Sequence, residues 1–135
     1  FNLPLLDLQG KDINAQFSNE EHRFGIHAGE IETSMMLALN PERVQMAQAQ
    51  NFHSTSKDRA EKFAILGNGK SAKLGWQMQD YNPAGAVGNA AAATAAKGQA
   101  VVDAAGRSLA KLLLEIDQLS ADTLVNQTRF TNPNR

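Results

Sequence analysis

The sequence predicts a mixed α/β fold, and three features predict it. An apolar face recurs at helical spacing through Ile31, Met35 and Leu39 and stops at Pro41. A long alanine- and leucine-rich segment follows a loop punctuated by Pro83, Gly85 and Gly88. Two short apolar runs, "FAIL" and "KLGWQMQ", flank the turn-forming "GNGK".

Taken in order, Phe1 to Leu8 is apolar with one proline and is expected to be a buried strand running out into a loop. Gly10 to Arg23 is polar and aperiodic, a loop with a helical turn at Ser18 to His22. The first helix is expected over Glu30 to Asn40, because Met36 and Leu37 widen the apolar arc and Pro41 drives Asn40 out of the α region. Glu30 and Glu32 fall in its first turn, where the helix dipole favours each by ~0.3–1 kcal/mol. Glu42 to Arg59 is rich in polar residues and is expected to be an exposed connection, helical at most around Val44 to Gln50. "FAIL" and "KLGWQMQ" are strand candidates joined by a tight turn. Asn89 is positioned to cap a last helix that runs to about Leu119, with Val101, Ala105, Leu109, Leu112 and Ile116 on one side. Gly98 and Gly106 interrupt it at ~1 kcal/mol each, which points to close backbone packing. The tail beyond Leu119 is polar.

Composition narrows the function classes. The chain has 135 residues, enough for one domain, and is 42% hydrophobic and 20% charged. Its net charge of -1 predicts neither a nucleic-acid nor an anionic-membrane partner. It has no cysteine, which excludes disulfides, thiolate metal sites and cysteine nucleophiles and fits a reducing cytoplasm. No apolar run approaches the ~20 residues of a membrane helix. "FNLPLLDLQG" opens without methionine and is expected to be a chain already in progress.

The candidate chemistry centres on "FGIHAGEIETSMMLALNPERV". His27, Glu30 and Glu32 fall within six positions. Histidine can shuttle protons near neutrality, and a neighbouring carboxylate can orient it. The spacing is not that of a zinc helix, and Glu30 and Glu32 point about 200° apart on a helix, so the pair cannot serve one site unless the helix starts after Glu30. Spacing alone leaves two readings open: an ordinary helix start, or one wall of an active site. The loop "NPAGAVGN" could bind an anion at a helix N-terminus or be a plain turn with a cap. Trp76 could wall a substrate pocket or anchor a loop, and Asp80 could cap the following turn.

"HAGEIETSMMLALNPERV" resembles the signature of the creatininase family, the creatinine amidohydrolases, through His27, Ala28, Gly29, Glu32, Thr33, Ser34 and Pro41. A second block is similar to the same family: Trp76, then Gly85, Val87, Gly88 and Asn89, then Ala93, Thr94, Lys97 and Gly98. The resemblance spans about residues 24 to 119. It implies a three-layer α/β/α sandwich in a homo-oligomer, hydrolysing a non-peptide C–N bond of a cyclic amide or formamide, with some relatives cleaving peptides. It implies divalent zinc or manganese, and catalytic roles for His27 in proton handling and Glu32 in holding the site. Glu30, Phe24 and Trp76 become candidate substrate contacts. The family's metal ligands come from blocks N-terminal to the matching region, so the resemblance implies that residues 1–135 are the C-terminal portion of a single domain, with no metal ligand in this chain and a complementary N-terminal polypeptide as partner. Relatives acting on creatinine carry Trp-Asp where this chain has Arg23 and Phe24, which implies another small amide as substrate. The competing expectation is a non-catalytic subunit, or a fragment that only packs or regulates.

Overall fold

The structure, a computed structural model, describes residues 3–124. Four α-helices and two very short strands make up its regular structure: α1 (Asn19–Phe24), α2 (Glu30–Leu39), β1 (Asn51–Phe52), α3 (Thr55–Lys62), β2 (Gly88–Asn89) and α4 (Ala95–Asp117). The mixed class agrees with the sequence. Among the described residues the sheet is one antiparallel pair, with Asn51 opposite Asn89 and Phe52 opposite Gly88. A single bridge between His27 and Val87 continues it.

Helix α2 begins at Glu30 as expected and ends at Leu39, one residue before the expected Asn40, which Pro41 holds at φ -155° and ψ 68°. Helix α4 starts later than expected. Residues Ala90–Ala92 form a 3₁₀ turn, and the cap is Thr94, whose Oγ1 accepts from the Lys97 amide at 3.3 Å, not Asn89. At 23 residues α4 is about 35 Å long.

The two principal helices meet at the backbone. Gly98 of α4 sits against the Ser34 carbonyl of α2, and the buried Ser34 hydroxyl accepts from the Thr94 amide at 3.1 Å. Ile13, Phe17, Val101 and Ala104 form the core, with Leu5, Ile31, Met35 and Ala100 packed on it. The expected apolar stripe of α4 is therefore only partly buried. Val101 is core, Ala104 replaces Ala105, and Leu109, Leu113, Leu114 and Ile116 are exposed among the described residues.

Three expectations are corrected. The segment opening the chain is no strand over its described part. Only Leu6 bridges Asp12, around a tight turn in which the Asp7 carboxylate accepts from the Gln9 and Lys11 amides. Phe1 and Asn2 lie outside the described residues. "FAIL" and "KLGWQMQ" do not pair as a hairpin. Leu66 and Ala72 form one parallel bridge, and the Lys70 ammonium donates to the carbonyls of Ala60 and Phe63. That lysine folds the glycine-rich loop back onto α3, where a hairpin would hold it between two strands. Finally, the polar stretch expected to be a connection up to Arg59 runs into α3 from Thr55 onward. Ser54 caps it, and the Thr55 hydroxyl donates to the Asp80 carbonyl at 2.7 Å. With no apolar face, α3 had no periodic signal. No helix among the described residues is long and apolar enough to cross a membrane.

Candidate active site

The turn His27–Gly29 connects a sheet bridge to the head of α2. The His27 carbonyl accepts from the Val87 amide at 2.9 Å. The Glu32 carboxylate, one turn into α2, reaches back to accept from the Ala28 amide at 2.5 Å and lies 3.4 Å from His27 Nδ1. Thr33 Oγ1 donates to the Ala28 carbonyl at 3.2 Å. Ala28 has φ 53°, the one non-glycine residue in the left-handed region among those described. Such a conformation carries strain for a residue with a Cβ, and this kind of strain clusters at functional sites. The His27 ring remains about half exposed, at 55%. With the carboxylate on the Nδ1 side, Nε2 is the ring nitrogen left to meet a reactant.

Glu30 points elsewhere. It is buried and forms an ion pair with Lys97 of α4, so it does not share the site of His27 and Glu32. The 200° offset expected from helix geometry is what separates them. Lys97→Met would leave the Glu30 carboxylate in the interior without its cation. We expect a loss of about 3 kcal/mol and a fall in Tm of roughly 10 °C. The double variant Glu30→Met/Lys97→Met should recover most of it, because an apolar pair leaves no charge uncompensated. Thermal melts of the two variants check this.

Phe24 ends α1 under the Arg23 guanidinium, 4.9 Å from its ring centroid. It lines a cleft of about 450 Å³ with Glu21, Asn51, Phe52, His53 and Lys57. Trp76 lies edge-on to the buried Tyr81, at 4.7 Å between centroids and 83° between planes, and is itself 46% exposed. Asp80 caps its turn, accepting from the Gln77 amide at 2.8 Å. His53 is held by Asp58 at 3.0 Å, and His22 lies 2.9 Å from the Asn14 carbonyl. The Glu20 carboxylate, hydrogen-bonded to Lys57, raises that lysine's pKa above its ordinary value. The loop "NPAGAVGN" does not abut the start of α4, which removes the helix terminus on which the anion-binding reading depended.

The residue that sequence reasoning missed is Glu21. Its carboxylate is buried, with one oxygen accepting from the Asn89 amide at 3.0 Å and the other from the Ile31 amide at 3.3 Å. Gly25, Gly29 and Gly88 close around it. A Cβ would come within 2.5 Å of the carboxyl group at Gly25, closer at Gly29, and within 2.7 Å at Gly88, where φ is 106°. Three glycines spread over more than sixty positions were the only signal, and they converge in space, not in sequence.

No group of three or more His, Asp or Glu side chains that could hold a metal ion occurs among the described residues. The described residues therefore offer no ligand set of their own for a divalent ion.

The family model for creatininase, described as creatinine amidohydrolase, matches residues 4–113. No curated protein matches the chain. A crystal structure of a protein from Bacteroides fragilis, provisionally named a creatinine amidohydrolase, is similar at 27% identity and a TM-score of 0.55. The match covers 82% of this chain and 43% of that one, so the chain spans less than half the length of this relative.

Proposed function

The chain belongs to the creatininase family, and from this premise we propose that it contributes the His27 wall of an amidohydrolase that opens a non-peptide C–N bond in a cyclic amide or formamide. The observation that carries this reading is the turn at the head of α2: a half-exposed imidazole with the Glu32 carboxylate 3.4 Å from its Nδ1, next to Ala28 at φ 53°. In this reading His27 takes a proton at Nε2 from the attacking water and passes it to the departing nitrogen, and the Glu32 carboxylate beside Nδ1 favours the tautomer whose Nε2 can accept it. Phe24 and Trp76 contribute apolar surface to substrate binding. Glu30 supports the site indirectly, by fastening α2 to α4.

We propose further that any divalent ion in the enzyme, zinc or manganese, is ligated outside this chain. Residues 1–135 then form the C-terminal portion of a three-layer domain completed by a complementary N-terminal polypeptide, and the whole forms a homo-oligomer in the cytoplasm. One observation supports this: the chain spans less than half of the similar crystal structure. The exposed leucines of α4 are in keeping with it.

The test is to incubate the protein carrying this chain, with zinc or manganese supplied, with a panel of lactams, cyclic ureides and formamides, and to follow release of amine or acid. Turnover of at least one compound, lost on chelation, is the expected result. Inertness toward the whole panel, with the metal bound, would leave the chain as a packing or regulatory subunit.

A further inference from the structure

We infer that Glu21 is a positioning residue for His27: its buried carboxylate sets the turn on which the imidazole is presented. The inference rests on the amidohydrolase reading of His27.

Taking a carboxylate out of water is costly, and among the described residues no lysine, arginine or histidine pairs with Glu21 to offset it. Two backbone amides are its hydrogen-bond partners. An apolar side chain of the same size would remove that desolvation cost but leave the Ile31 and Asn89 amides without their acceptor.

What the carboxylate does achieve is local definition. Its own helix, α1, is fixed by the Ser18 cap, which accepts from the Glu21 amide at 3.0 Å. One carboxylate oxygen then fixes the first turn of α2 through Ile31, and the other fixes β2 through Asn89. The turn carrying His27 lies between these points. Gly25 precedes it and Gly29 ends it, both against the carboxyl group, and the His27 carbonyl is bonded to Val87, next to Gly88. Both ends of the turn are thus referenced to one rigid group. A supporting shell of this kind is what keeps a catalytic ring in its working orientation.

Glu21→Gln preserves shape but turns an N–H toward a backbone N–H, and Glu21→Leu preserves bulk without either bond. In the protein carrying this chain, both should lower kcat about 10–100-fold with KM nearly unchanged. Both should also shift the NMR resonances of the His27 ring and of the Ala28 and Gly29 amides. Glu20→Gln, which loses only an exposed partner of Lys57, should leave all of these in place. If the bulkier changes prevent folding, Glu21→Asp retains the charge and reaches one amide, and should still move the His27 resonances. Unmoved His27 resonances and unchanged kcat, with only Tm altered, would overturn the inference and make Glu21 purely structural. Should the parent protein hydrolyse no amide, the amidohydrolase reading fails, while the resonances still report whether Glu21 orients His27.

Discussion

Replacing His27 by alanine is expected to lower kcat by about 10²–10⁴, the usual worth of a positioned acid–base group, while Tm and metal content stay nearly constant. The side chain is 55% exposed, so little packing is lost. The bond to Val87 uses the His27 carbonyl, which alanine retains. The strain at Ala28 and its bond to Glu32 are likewise untouched. Glu32→Gln should cost less, about 10–100-fold, and for a definable reason. Its amide oxygen can still accept from Ala28 and, being the atom nearest His27 Nδ1, stays beside the ring, but the negative charge that favours a proton on Nδ1 is gone. A His27→Ala protein that keeps near-full turnover would show that the histidine only decorates a helix start.

Gly98→Ala is expected to be the most damaging single methyl group in the described chain. A Cβ there would lie 2.7 Å from the Met35 amide nitrogen and closer still to the Ser34 carbonyl, so α2 and α4 would have to part. Alanine gains ~1 kcal/mol of helix propensity over glycine. Overpacking a tight core costs about 1–3 kcal/mol and more where backbone must move, and here the obstacle is backbone on both sides. We expect a net loss of at least about 2 kcal/mol, with loss of the Lys97–Glu30 ion pair following from the separation. Gly106→Ala is the internal comparison. Nothing among the described residues lies within 4 Å of its added Cβ, so propensity should dominate and Tm should rise slightly. Paired thermal melts decide it, and equal effects at the two glycines would contradict the packing described here.

The limits of the sequence follow from the same physics. Helix α2 was legible because its apolar spacing and its stop signal are local, and the separation of Glu30 from Glu32 follows from helix geometry alone. Helix α3 was not legible, because it is capped by Ser54 and braced on Asp80 without an apolar face of its own. The strand candidates failed because β-pairing is non-local, and a single lysine donating to two carbonyls redirected the loop between them. The His27 turn was found through its resemblance to a family signature. Its distinguishing feature, a left-handed alanine bonded back to Glu32, belongs to the folded backbone and not to composition. Glu21 stayed hidden because a carboxylate in a polar helical turn looks solvated until Gly29 and Gly88 are brought beside it.

The central claim is that this chain supplies the proton-handling wall of an amidohydrolase whose metal is held elsewhere. Metal content per chain tests it most directly. The purified 135-residue chain should retain no zinc or manganese after desalting. The same chain joined to the polypeptide that completes the domain should retain metal, with or without the His27→Ala change. Stoichiometric metal on the chain alone, lost when His27 is replaced, would contradict the account and make His27 a ligand.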